Sequence, residues 1–169
     1  MLDTHKDLIH AKKLASTARV FASIALVVII ISIVLKTGIP IIRLLIGPDP
    51  LATRVTAAGL LLVQILPAVL LCKAVNSLSG ALKHYSEGDF FCQAAARHVA
   101  AAGDYGAQAM IASMLIVPNL SEWIQSEKGF TVRMESEYLG ILAFALFVGA
   151  VGRILSAATS LKEENEAFI

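Results

Sequence analysis

The stretch Val20–Leu35, VFASIALVVIIISIVL, contains no charged residue, no glycine and no proline. With the residues that lead into it from Leu14, it reaches the roughly 20 residues that a helix needs to cross the hydrocarbon core of a bilayer. Three further stretches of this kind follow, so the predicted membrane spans are 14–35, 51–72, 99–120 and 138–158. This pattern predicts an all-α, polytopic membrane protein, a bundle of four transmembrane helices in a single domain over residues 1–169.

Composition agrees with a lipid environment. Hydrophobic residues make up 57% of the 169 residues and charged residues 16%, whereas a soluble domain has about 25% charged residues. The first span has no small-residue cleavage site after it, which indicates a retained helix rather than a removed signal. The net charge of +1 and the absence of a basic cluster give no indication of nucleic-acid binding. We expect membrane lipid around the chain and no nucleic-acid partner.

Basic residues are unevenly distributed among the segments outside the predicted spans. Nine of the 14 Lys and Arg residues lie in the N-terminal tail, the middle connection and the C-terminal end, and five lie in the other two connections. Positive charge is retained on the cytoplasmic side of membranes. We therefore expect both termini and the middle connection to be cytoplasmic.

The second span is followed by an amphipathic continuation of the same helix. Its apolar residues recur at helical spacing, at Val75, Leu78, Leu82 and Tyr85. We expect this extension to project about three turns into the cytoplasm and to stop at Gly88, where a left-handed backbone suits glycine. Asp89 is expected to cap the next helix. Phe90 and Phe91 supply the apolar anchor of this corner, which we define as residues Gly88 to Phe91.

The two outer connections contain helix breakers. In the first, Lys36–Pro50, we expect an interfacial segment with Arg43 reaching the headgroups, bounded by breakers at 38–40 and 47–50. Pro50 is placed to start the second helix. In the second connection, Phe130–Met134 alternates apolar and polar residues as a short half-buried strand does.

The corner sequence Tyr85–Phe91, YSEGDFF, and the acidic terminus Glu163–Glu166 resemble the bacterial membrane protein family of domain of unknown function 2975. The resemblance implies four spans, a cytoplasmic Gly-x-x-Phe corner after an amphipathic second helix, and a place in the bacterial cytoplasmic (inner) membrane. Gly88 and Phe91 match the corner pattern. Cys92 stands where a hydroxyl residue is expected. The family has no established activity, so the resemblance implies a fold and leaves the function open.

Two ionisable residues fall inside predicted spans, where charges are costly. Asp104 and Arg153 lie at similar shallow depths, on the order of 7 Å from the cytoplasmic ends of the third and fourth spans. Arg153 follows the small residues Ala145 and Gly149 at helical spacing, and small residues mark close helix packing. An inward-facing Asp104–Arg153 ion pair is one prediction, and separate snorkelling of the two side chains is the alternative. Such a pair serves either as a structural clip or as a proton relay.

Polar amides also occur within the spans. Gln108 follows Asp104 by one helical turn, and Gln64 precedes Pro67 in the second span. Together with Asp104 they form a candidate polar seam inside the bundle. Its two interpretations are hydrogen bonding between helices and a transport path. Pro67 is expected to bend the second helix.

The sequence offers no starting point for catalysis. No hydrolase, metalloprotease or phosphate-binding motif occurs. Of the four histidines only His98 lies near a span, with His84 able to approach it across the corner. Cys72 and Cys92 have no metal-ligand spacing and are expected to be reduced packing residues. We therefore predict no catalytic, cofactor-binding or metal site.

These observations favour a non-enzymatic integral membrane protein that acts through contacts, as a regulatory, sensory or accessory subunit. Its expected partner is another protein or a second copy of the chain. The amphipathic extension of the second helix, together with the corner, is the candidate contact surface. The simpler interpretation of the corner is packing of a helical hairpin. The alternative function is a small oligomeric transporter or channel.

Overall fold

The computed structural model of the chain describes residues 2–48, 50–125, 132 and 136–167. Within these ranges it is all-helical and contains no strand. Two single π-helical turns, Val34–Gly38 and Ala112–Ile116, join successive α-helices into longer rods. The α-helices are α1 (Leu2–Ile33), α2 (Ile39–Ile46), α3 (Leu51–Glu87), α4 (Gln93–Ile111), α5 (Val117–Ile124) and α6 (Ser136–Ala167).

Four helical rods are long and apolar enough to cross a bilayer, as predicted. Among the described residues they are Lys6–Leu44, Leu51–Glu87, Gln93–Ile124 and Ser136–Asn165. The 37 residues of α3 correspond to a length of about 55 Å at 1.5 Å per residue, well beyond a hydrocarbon core of about 30 Å. The predicted extension of the second helix, ending before Gly88, is confirmed.

The predicted break at residues 38–40 is wrong, because the helix continues through it to Ile46. Pro40 occupies the first turn of α2 directly after the π-helical turn Val34–Gly38. Pro118 stands in the same relation to the second π-helical turn. A proline cannot donate to the carbonyl four residues earlier and its ring crowds that carbonyl. In a π-helical turn the hydrogen bonds join residues five apart instead of four. The proline is therefore not opposed to the carbonyl four residues earlier, and the rod continues without a break.

The second predicted break is confirmed. The backbone is extended at Gly47, and α3 begins after Pro50, whose carbonyl oxygen accepts a hydrogen bond from the Arg54 N–H. The Arg54 guanidinium also donates to the Gly47 carbonyl oxygen. The predicted strand at 130–134 lies, apart from Val132, outside the described residues. Along α3 the helix runs through Pro67 without interruption.

The helices pack in the order of the chain. The rod containing α1 packs on α3, α3 packs on α4, and α4 packs on α6. Within the described ranges, α1 and α6 do not pack extensively on each other. The bundle is therefore open on one side. Its buried core lies mainly along α4 and the π-helical turn after it, and it consists chiefly of alanine and methionine side chains, including Ala95, Ala107, Ala109, Met110 and Met114.

One end of the bundle gathers three parts of the chain. The Lys12 side chain of α1 lies against Gly88, since a Cβ atom placed on Gly88 would lie 2.5 Å from Lys12 Cε. The Gln93 amide, at the start of α4, donates to the Ser156 hydroxyl of α6 over 2.9 Å. The beginning of α1, the corner and the last part of α6 are thus neighbours.

Candidate functional site

Helix α3 ends at the corner in a complete Schellman motif. Gly88 has φ 99°, a conformation that favours glycine because it has no Cβ. Its N–H donates to the Tyr85 carbonyl oxygen over 3.1 Å, and the Asp89 N–H donates to the His84 carbonyl oxygen over 3.0 Å. The backbone of the corner is therefore fixed by hydrogen bonds, and His84 and Asp89 are tied to each other.

The cap of the next helix differs from the prediction. We expected Asp89 to cap α4, but α4 begins at Gln93 and its N-cap residue is Cys92. The Cys92 Sγ accepts a hydrogen bond from the Ala95 N–H over 3.3 Å. The thiol occupies the position that a serine or threonine hydroxyl takes in most caps. Asp89 is too early in the chain for this role because Phe90 and Phe91 form a further turn before α4 starts.

The two phenylalanines of the corner have different surroundings. The Phe90 ring stacks on the Tyr85 ring, with centroids 5.9 Å apart and planes inclined by 11°. The Phe91 side chain is 70% exposed. Phe90 thus packs within the hairpin, as the simpler interpretation of the corner requires, and Phe91 remains exposed at the surface.

Two histidines meet beside the corner. The His84 and His98 rings stack with centroids 6.1 Å apart, which confirms the predicted approach of one to the other. The His98 ring lies over Gly80 of α3, where an added Cβ would lie 3.0 Å from it. The absence of a side chain at Gly80 is what admits the imidazole between α3 and α4.

The structure also assembles a group that the sequence analysis did not predict. An imidazole nitrogen of His84, a carboxylate oxygen of Asp89 and the Cys92 Sγ all lie within 4.8 Å of one another. We call these three residues the corner cluster. Their sequence spacing matches neither one helix face nor a known metal motif, because the chain reverses direction between them. The one sequence signal for the cluster is that His84 and Cys92 lie on either side of the turn at Gly88.

Asp104 and Arg153 form an ion pair between α4 and α6. Arg153 Nη2 donates to Asp104 Oδ1 over 2.7 Å. The expectation that Arg153 faces inward is wrong, because the two side chains are 65% and 44% exposed. The buried residues described in α6 are Ala145, Gly149, Gly152 and Thr159, so Arg153 lies at the edge of the interface, one residue beyond Gly152.

The close contact between α4 and α6 depends on glycine residues, which have no side chain. A Cβ on Gly103 would overlap the Gly149 backbone, and a Cβ on Gly152 would overlap the Ala100 backbone. A Cβ on Gly149 would make only ordinary contacts, at 3.5 Å or more. Close backbone approach of this kind is how membrane helices gain packing energy. The interface holds the ion pair at its edge.

The two amides of the predicted seam do not lie inside the single chain. Gln108 is exposed on α4. Gln64 is exposed within a cleft of about 510 Å³. The cleft is lined by α1 and the π-helical turn after it, by α3, by the second π-helical turn with the start of α5, and by the first turn of α6. Other polar residues of this cleft are Ser32, Lys36, Thr37, Ser113 and Tyr138. Asp104 pairs with Arg153, so the predicted seam is not enclosed within the single chain.

Comparison with known proteins adds no relative. No family model matches the chain, no curated protein is significantly similar to it, and no solved structure matches its fold.

Proposed function

We propose that the protein is an integral membrane subunit that acts through protein contacts, in a regulatory, sensory or accessory role, and not as an enzyme. The observation that carries the proposal is the open cleft beside Gln64. Polar groups that face lipid are costly, and this cleft presents an ammonium, an amide and hydroxyl groups at its wall. A helix from another chain, entering the cleft, would supply hydrogen-bond partners for them.

The relation between hydropathy and burial supports insertion in lipid. The most apolar windows of the first two rods have mean hydropathies of 2.7 and 2.3, yet 6% and 0% of them are buried. The third rod has the lowest value, 1.2, and the largest buried share, 44%. In water the most apolar helix would be the most buried. Here the least apolar rod is the most buried, an arrangement that lipid permits because lipid tails are as apolar as leucine.

The amount of free surface supports contacts with another chain. The accessible surface is 11332 Å², whereas a compact soluble monomer of this mass has about 8,000 Å². Stable interfaces bury about 1,200–2,000 Å², so a partner can be accommodated with most of the lipid-facing surface still free.

Orientation and family are part of the same proposal. The bias of basic residues and the meeting of Lys12 with the corner favour a cytoplasmic position for the corner and both termini, in a bacterial inner membrane. The family is proposed from the sequence resemblance at Tyr85–Phe91 and Glu163–Glu166. A reporter fused after residue 169 tests the orientation, and activity of an exterior-only reporter there would contradict it.

A matched pair of variants tests the cleft. Ala68 lines the cleft, and Ala143 is exposed on α6 outside it. The native protein, extracted in mild detergent, is expected to co-purify with a defined partner identified by mass spectrometry. Ala68→Phe should abolish this association, and Ala143→Phe should retain it. A lone, stable monomer, or equal retention by both variants, would rule out the contact role.

The second candidate function is a small oligomeric transporter or channel. The exposed amides of Gln64 and Gln108 favour it, because subunits that meet there would line a shared polar path. Ion flux through proteoliposomes measures it directly. Flux lost in a Gln64→Leu, Gln108→Leu double variant would support transport over the accessory role.

A further inference from the structure

We propose that the corner cluster, His84, Asp89 and Cys92, is a binding site for a divalent transition-metal ion of the zinc class. This inference does not depend on the proposed contact function. It rests on the chemistry of the three side chains, on their mutual distances and on the way the backbone holds them.

The ligand types select the class of metal. Imidazole nitrogen, thiolate sulfur and carboxylate oxygen are the three groups that bind Zn²⁺ in proteins. A thiolate with an imidazole disfavours Mg²⁺ and Ca²⁺, which prefer sets made only of oxygen ligands. A site with three protein ligands leaves a fourth position for water, as in open zinc sites.

The distances suit a single ion. In a tetrahedral zinc site, with bonds of about 2.0–2.3 Å, ligand atoms lie about 3.3–3.8 Å from one another. The three ligand atoms of the corner cluster already lie within 4.8 Å of one another. Rotation about side-chain bonds can move the ligand atoms by about 1 Å, which is enough to bring all three within bonding distance of one ion.

The backbone positions the ligands in advance. The Asp89 N–H donates to the His84 carbonyl oxygen, which holds the first two ligand residues together across the Gly88 turn. Cys92 is held at the start of α4 by the Ala95 N–H, a contact that a metal-bound thiolate retains because sulfur keeps free lone pairs. The Tyr85 and Phe90 rings, which flank the Gly88 turn in the sequence, stack on each other. Binding therefore requires little ordering of the chain.

The neighbouring groups are compatible with an ion. His84 and Cys92 are partly buried and Asp89 is exposed, so an ion has a route from water. The His98 ring supports one side of the His84 ring. Lys12 lies against Gly88 and brings a positive charge to this turn, so it opposes metal binding and is expected to move toward solvent when the ion enters.

The test uses the full-length protein, free of any histidine tag, reduced, stripped with chelator and held in detergent. Co²⁺ serves as a coloured substitute for Zn²⁺, and a thiolate bound to it produces a charge-transfer band in the near ultraviolet. We expect one equivalent of Co²⁺ to produce this band and one equivalent of Zn²⁺ to displace it. Absence of the band in the wild-type protein would overturn the proposal.

Matched variants assign the ligands. Cys92→Ser keeps a good N-cap and should abolish the band, whereas Cys72→Ser, which removes the other free thiol, should leave it unchanged. Asp89→Asn and His84→Gln should each weaken Zn²⁺ binding by about ten-fold or more, since even outer residues of metal sites change affinity by about 10–100-fold. Glu87→Gln is the acidic control and should bind like the wild type. Equal losses in Cys72→Ser and Cys92→Ser would refute the site.

A second measurement needs no substitution. One equivalent of Zn²⁺ should slow the alkylation of Cys92 by a maleimide, measured by peptide mass spectrometry, and should leave the rate at Cys72 unchanged. Equal rates at Cys92 with and without Zn²⁺ would contradict the proposal, whatever the stability of the variants.

Discussion

The α4–α6 half of the molecule is closed, and the α1–α3 half is open. Between α4 and α6, glycines bring the two backbones into direct contact at Gly103 and Gly149. Along α1, branched and aromatic side chains such as Phe21 and Ile24 are exposed. The difference shows that apolar character alone does not decide which helices of this chain pack closely. Close backbone approach does, because it gains van der Waals contact that lipid does not supply.

The largest expected effect comes from filling the closed half. Gly103→Ala places a methyl group into the Gly149 backbone, and overpacking of this kind costs about 1–3 kcal/mol. Gly140→Ala is the control in α6, because a Cβ there meets nothing within 4 Å, and it should gain up to about 1 kcal/mol from helix propensity. Thermal unfolding in detergent measures both. Equal melting temperatures of the two variants would contradict the conclusion that α4 and α6 are tightly packed at Gly103.

The next effect concerns the corner that joins the two halves. Phe90→Ser removes the stack on Tyr85, and such aromatic pairs contribute about 0.5–1.5 kcal/mol beyond their buried area. Phe91→Ser changes an exposed side chain and should have little effect. Limited proteolysis at the corner should therefore be faster in the first variant alone. Faster cleavage in Phe91→Ser than in Phe90→Ser would show that the ordered side chain has been misassigned.

A smaller effect is expected at the edge of the closed half. Exposed ion pairs contribute about 0.2–1 kcal/mol in water, and the Asp104–Arg153 pair is exposed at the protein surface. Arg153→Leu should destabilise the protein in detergent more than Lys162→Leu, because it leaves the Asp104 carboxylate without its partner within a predicted span. A double-mutant cycle with Asp104→Leu should recover a favourable coupling energy. Strictly additive losses would show that the pair contributes nothing.

The smallest effect is expected in the open half. Ile24→Ala shortens an exposed side chain of α1 and should change the stability of the isolated chain by no more than about 0.5 kcal/mol. Denaturant titration in detergent measures it. A loss as large as that of Gly103→Ala would mean that the α1 face is already covered in the purified protein, for instance by a second copy.

Much of the helical layout is readable from the residues. The run Val20–Leu35 and the three later spans predict the four rods, and Gly88 predicts the end of α3, because both depend on local properties of the chain. The predicted break at Pro40 is wrong because a π-helical turn accommodates the proline within a continuous helix. Neither the hydropathy nor the glycine and proline positions predict a π-helical turn. The prediction that Asp89 caps α4 is wrong for a related reason, because the residue at which α4 begins depends on how Phe90 packs.

The candidate sites divide in the same way. Asp104 and Arg153 were paired correctly from their depths, which follow from helix rise alone, but the side of α6 that Arg153 occupies depends on the rotation at which α4 and α6 meet. Gln64 and Gln108 were expected inside a closed bundle, and the open packing order leaves both exposed. Helix rotation is set by contacts between distant residues, which periodicity does not reveal.

By itself the sequence determined which segments are helical rods and where charges lie along them, because hydropathy, glycine conformation and helix rise are properties of neighbouring residues. The tertiary structure alone decided that the rods leave one side open. It also decided that glycines carry the α4–α6 contact and that His84, Asp89 and Cys92 meet at one corner. The physical reason is that these features arise where separate parts of the chain approach within van der Waals distance.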